Sequence, residues 1–105
     1  MCRVTPNQLV DWLASRPVAR GYVRPHLVCR DGFRMSVQAS DVHYCSPRTV
    51  VGPWTHVEVA SLRRVEPLLW RWAEEPGKWC STVYPMVPVE VVAAVVELHG
   101  GFCVD

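Results

Sequence analysis

The feature that most constrains this chain is the alternation of apolar and polar side chains on either side of Asp31-Gly32. A strand points successive side chains to opposite faces, so such a run fixes both the element and its register. A two-residue turn at Asp31-Gly32 would pair Arg30 with Phe33. It would set Phe33, Met35 and Val37 on one face with Arg24, His26 and Arg30. A three-residue loop, Arg30-Asp31-Gly32, pairs Cys29 with Phe33 instead. Val23, Leu27, Cys29, Phe33, Met35, Val37 and Ala39 then share one apolar face. A slip of one residue would turn that whole set to water. The sequence therefore predicts a hairpin over residues 21–40, with Gly32 in the left-handed position of a bulged loop. The opposite face is expected to carry Arg24, His26, Val28, Arg34, Ser36 and Gln38.

The other elements follow from caps, breakers and spacing. Thr5-Pro6-Asn7-Gln8 opens a helix over about 6–15. Thr5 is the N-cap, Pro6 takes the first position, Gln8 closes a capping box, and Pro17 ends the helix. Ser46-Pro47 and Gly52-Pro53 mark 41–53 as a loop. Thr55 to Ala60 alternates, with Val57 and Val59 inward and His56 and Glu58 outward, and reads as a strand. Pro67 to Glu75 reads as a short helix with Leu68, Leu69 and Trp72 on one side, stopped by Pro76-Gly77. Ser81 to Tyr84 reads as a brief strand. Pro88 to His99 reads as a helix, with Gly100-Gly101 as its C-cap and Glu90 and Glu97 on one face. Apolar around the rest of its circumference, it is expected to be the core helix. The layout α-β-β-β-α-β-α implies an α+β fold: a small antiparallel sheet of three to four strands packed against helices in a two-layer sandwich.

At 105 residues the chain has the size of a single domain with one modest core. Half of its residues are hydrophobic and a fifth are charged, a globular balance. No apolar run is long enough to span a bilayer, and no charged-then-apolar leader opens the sequence. Ten Arg and twenty Val stand against one Lys, one Asn and no Ile. Codon bias in a GC-rich genome produces that skew, so the arginines by themselves say little about nucleic acid. The net charge of +1 is also low for a nucleic-acid domain. Residues 1–50 sum to +4 and residues 51–105 to −3, so the two halves either polarise the molecule or neutralise each other by packing. Five cysteines follow no secreted disulfide spacing, and free thiols in a reducing cytoplasm are expected.

Candidate chemistry is sparse. His26, Cys29, His43 and Cys45 form the best metal set, but on a strand His26 and Cys29 point to opposite faces, and neither zinc nor any other cofactor is expected. Cys45 with His56 and Glu58 would make a nucleophile, a base and an orienting group, yet nothing in the pattern places Cys45 beside the other two. No phosphate loop, dinucleotide glycine motif or His-Glu-x-x-His motif is present, and no enzyme is expected. A binding surface is the stronger reading. The outer hairpin face offers Arg24, His26, Arg34 and Gln38, with His56 and Trp54 nearby. The plain structural alternative is a solvated sheet face with an Arg34–Glu58 ion pair. Five Trp are many for this length. Trp70 and Trp72, two apart, cannot both be buried by one helix face, so one of them or Trp79 is expected to be exposed.

A further pattern runs through residues 23–101. It comprises Asp31-Gly32-Phe33, Ser36-Val37-Gln38-Ala39-Ser40, His43-Tyr44-Cys45-Ser46-Pro47-Arg48, Gly52-Pro53-Trp54 and Val57-Glu58-Val59. It continues with Thr82-Val83-Tyr84, Val87-Pro88 and His99-Gly100-Gly101. This resembles small uncharacterised proteins of tailed phages and prophages, although Ala60-Ser61-Leu62-Arg63-Arg64 departs from the Gly-Phe-Pro-Ser-like stretch of that pattern. The resemblance implies a phage or prophage origin and a bacterial cytoplasm. It implies no activity and carries over no catalytic residues. The expectation is a binding protein that blocks a host or phage protein complex stoichiometrically, a host-defence antagonist of the anti-CRISPR type being its most concrete version. A nucleic-acid binder using the basic N-terminal half is the second reading, and a metal- or thiol-dependent enzyme the third.

Overall fold

The computed structural model describes residues 3–16 and 23–103. Cys2, Pro17 as a helix stop and the first two residues of the expected hairpin lie outside the described residues. In chain order the elements are helix α1 (Pro6–Ala14), strands β1 (Leu27–Val28), β2 (Arg34–Gln38) and β3 (His56–Ala60), a 3₁₀ helix (Pro67–Trp72), strand β4 (Tyr84–Pro88) and helix α2 (Val89–Leu98). The four strands form an antiparallel meander in the order β1-β2-β3-β4. The fold is α+β, as expected. Among the described residues no helix is long and apolar enough to cross a membrane.

The hairpin adopts the expected register. Leu27 stands opposite Met35 and Val28 opposite Arg34. Cys29 N donates to Phe33 O at 2.8 Å, Gly32 N donates to Cys29 O at 3.0 Å, and Gly32 sits at φ +94°. The Asp31 carboxylate accepts from Phe33 N at 2.8 Å, which locks the loop from within. Leu27, Cys29, Phe33, Met35, Val37 and Ala39 are all buried, and Val57, Val59 and Val87 continue the apolar face across β3 and β4. Val23 is exposed, since it precedes the sheet and escapes its alternation.

Both helices carry the expected end signals. Thr5 Oγ1 accepts from Gln8 N and the Gln8 side chain accepts from Thr5 N, a complete capping box. After α2, Gly101 N donates to Val96 O and Gly100 N to Glu97 O, the paired bonds of a Schellman ending. Gly100 holds φ +90° there. Helix α2 buries Val89, Val92, Ala93, Val95 and Val96 and packs against α1 and β4. The C-terminal segment then covers the β1 edge: Arg30 N donates to Gly101 O and Cys103 N to Val28 O.

Two elements differ from expectation. The fourth strand is Tyr84–Pro88, not Ser81–Tyr84. Residues 81–83 form a turn in which Thr82 Oγ1 accepts from Glu75 N at 2.9 Å. The segment after Glu66 is a 3₁₀ helix. At three residues per turn Leu69 and Trp72 eclipse on the inner side, while Leu68 and Trp70 turn outward.

Candidate functional site

Three of the expected surface residues converge in the interior. Arg24 is 2 % exposed, and Gln38 and Trp54 are buried with it. This corrects the expected outer face. Strand β1 begins only at Leu27, so alternation does not govern residue 24. Across the missing rungs of the ladder the Gln38 amide does the pairing: Arg24 N donates to Gln38 Oε1 at 2.8 Å, and Gln38 Nε2 donates to Arg24 O at 3.1 Å. The Arg24 side chain then runs inward. Nε donates to Leu13 O at 3.1 Å and Nη1 to Ala39 O at 2.8 Å. The guanidinium carbon lies 5.3 Å from the centre of the Trp54 ring, a cation–π contact. Nη2 has no partner among the described residues. Burial pushes the Arg24 pKa down, while Cys45 acts weakly the other way. A buried charged donor left unpaired costs roughly 1–3 kcal/mol or more.

The other expected site residues stay apart from this cluster. His26 and Arg34 are exposed, and His56 is half-buried with Nδ1 2.9 Å from Thr55 Oγ1. His26 borders a shallow depression with Trp12, Arg16 and Cys103. The Arg34–Glu58 pair does not form. Glu58 stands opposite Gln38, two rungs from Ser36, and its carboxylate accepts from Tyr44 N at 3.1 Å.

Cys45 is also placed differently from the nucleophile arrangement considered above. It is buried, with Sγ 3.1 Å from Ser40 O. Burial raises its pKa, so the thiol is kept protonated. Its neighbours are Ser40 and His43, whose Oγ and Nδ1 lie 2.6 Å apart. Ser40 Oγ also accepts from Val42 N, and both residues are buried. Burial holds the His43 pKa below its ordinary value. Ser40 and His43 thus brace the start of the 41–53 loop. Among the described residues no three His, Cys, Asp or Glu side chains are grouped to hold a metal ion.

A second cluster escaped the sequence reading. His99 donates in two directions, with Nδ1 2.6 Å from Asp31 Oδ2 and Nε2 2.6 Å from Glu66 Oε1. Its ring stacks on Phe33 at 4.2 Å. The other Glu66 oxygen accepts from Leu68 N and so caps the 3₁₀ helix. One imidazole therefore ties the hairpin loop, the end of α2 and the 3₁₀ helix together. The Asp31 pKa is lowered, first by the Phe33 backbone bond and further by His99.

The exposed tryptophans answer the question raised by their spacing. Trp70 is 42 % exposed and stacks on Trp79 at 4.8 Å between ring centres. Val65 and Trp79 border one shallow depression, and Val65 and Leu68 are themselves exposed. Trp79 is held from below, because its carbonyl accepts from the buried Tyr84 hydroxyl. Around the rim are Lys78, paired with Glu75 at 3.0 Å, the exposed Glu74, and Arg71, which covers the half-buried Trp72. No protein-family model, curated protein or solved structure matches the chain.

Proposed function

We propose that this protein works as a stoichiometric binding module that docks a protein partner on the surface formed by Val65, Leu68, Trp70 and Trp79. The observation that carries the reading is the exposed Trp70–Trp79 stack. Two large rings fixed against each other by a short 3₁₀ helix and a turn offer much apolar area at little further entropy cost. A contiguous exposed apolar patch with a polar rim is the usual anatomy of an interface. The rim carries both signs of charge, and Glu74 and Glu75 beside the rings disfavour a phosphate backbone. That favours a protein over a nucleic acid. The burial of Arg24 points the same way, since it removes one cation from the basic half. In the setting implied by the phage resemblance, the partner is a protein complex of the bacterial host or the phage.

The test is affinity capture from a bacterial lysate with three baits: wild type, Trp70→Ala and Arg34→Ala. The reading expects a partner that wild type and Arg34→Ala retain in fixed stoichiometry and that Trp70→Ala loses. Truncating a central aromatic anchor should cost about 2 kcal/mol or more of binding. Equal capture by all three baits, or capture of nucleic acid that washes off with salt, overturns it.

A further inference from the structure

The clustering of Arg24 and Trp54 leaves a space beside it. A cavity of about 120 Å³ opens between the C-terminal end of α1 and the 50–54 segment, walled by Leu13, Ala14, Val50, Val51 and the Trp54 ring, with Arg24 as its one charged lining residue. Val50 and Val51 are exposed and form the rim. Gly52 completes the wall on terms no other residue meets, since a Cβ there would fall 2.7 Å from the Trp54 ring.

Arg24 is a cation at this wall whose counter-charge is not supplied nearby. Its bonded partners are two backbone carbonyls and an aromatic face, and none of them is an anion. Nη2 is the only buried side-chain nitrogen or oxygen without a partner among the described residues. Arginine cannot relieve the imbalance by losing its proton, as a buried lysine can. Walls that are apolar apart from one guanidinium select an anionic head on an apolar stem. At roughly 30 Å³ for each water displaced, the space equals about four waters, the bulk of a short acid rather than a nucleotide or sugar. A multiply charged oxyanion would need more donors than one nitrogen can provide.

We infer that this cavity binds a free short-chain aliphatic monocarboxylate, its carboxylate on the Arg24 guanidinium and its alkyl chain against Trp54 and the Val50-Val51 rim. The site is separate from the Trp70–Trp79 surface and stands or falls independently of it.

Titration with sodium butyrate, followed by calorimetry and by the Trp54 indole N–H resonance, tests the assignment. That N–H donates to Thr49 O at 3.1 Å and reports on the cavity wall. Butyrate is expected to shift the resonance saturably, while n-butanol and butylammonium at the same concentrations leave it in place. Arg24→Lys should abolish the effect, but it also disturbs buried hydrogen bonds. Val51→Glu is therefore the second variant: the position is exposed, and the new carboxylate should weaken butyrate binding about ten-fold, the order of one close like-charge contact in a partly wet site. A butyrate response no larger than that of butanol, or one unchanged in Val51→Glu, overturns the proposal. Binding of an acetylated Ala-Glu-Ala amide without binding of butyrate overturns the free acid in favour of a partner's side chain.

Discussion

A thiol reacts as its thiolate, so the cysteines here divide sharply by surroundings. Cys29 lies under the hairpin, where burial first, then Asp31 and Cys103, push its pKa up to about 12. Cys45 is likewise buried and raised. Cys80 and Cys103 are exposed. A thiol reagent at pH 8 is therefore expected to modify Cys80 and Cys103 well before Cys29 and Cys45, and peptide mapping after graded labelling reads the order. His43 gives a residue-scale pH dependence. Burial lowers its folded pKa, so between that value and the unfolded one, about 6.5, the unfolded chain binds more protons. The contribution of neutral His43 is complete above pH 6.5 and is eroded as the pH falls below it. The stability gap between wild type and His43→Gln should narrow from pH 7.5 to 5.5 in denaturant titrations, and a gap that widened would refute this. Residue-scale legibility was uneven for a definite reason. Met35 and Val37 were placed correctly because a strand enforces alternation on them. Arg24 was not, because it precedes β1 and its direction is set by the Gln38 side chain, a long-range contact no period encodes.

At the scale of elements, the fold is held at a point where three of them end. His99 follows α2, Asp31 sits in the hairpin loop and Glu66 caps the 3₁₀ helix. The two pairs are unequal. Glu66 is nearly sealed from water, whereas the Asp31 side chain is 42 % exposed and its pairing is screened. Asp31→Asn keeps an oxygen for Phe33 N and should cost about 0.5 kcal/mol. His99→Ala strands a buried carboxylate and removes the ring stacked on Phe33, for a cost of about 3 kcal/mol. Equal losses in urea unfolding would mean the burial difference is immaterial. The sequence marked His99 only as part of a helix ending, because its partners lie 68 and 33 residues away. The fourth strand was misplaced for a local reason. Thr82-Val83-Tyr84 has strong strand propensity, while Pro85 and Pro88 argue against a strand. Those prolines fit because β4 lies at the sheet edge, with a bulge opposite Val57 to Val59 and Met86 N bonded to Tyr44 O instead.

Over the whole molecule, the +4 and −3 halves interleave rather than segregate. β2 of the first half lies beside β3 of the second, Val4 N donates to the Glu97 carboxylate at 2.9 Å, and Asp31 meets His99. What distinguishes one side of the surface from another is then aromatic exposure more than net charge. The tryptophans separate into two kinds. Trp54 is buried, carries the Arg24 guanidinium on its face and donates to Thr49 O. Trp70 rests on Trp79 at the surface. If Trp70 is kept for packing, its removal should hurt folding as a core tryptophan does. If it is kept for docking, stability and binding should come apart. Trp54→Ala is expected to cost about 4 kcal/mol of unfolding free energy, the usual effect of emptying a large core site. Trp70→Ala should cost about 1 kcal/mol, the worth of one aromatic stack. Paired denaturant titrations of the two variants measure the contrast, and a loss at Trp70 as large as that at Trp54 would make the exposed pair part of the core and remove the basis for a partner on that face.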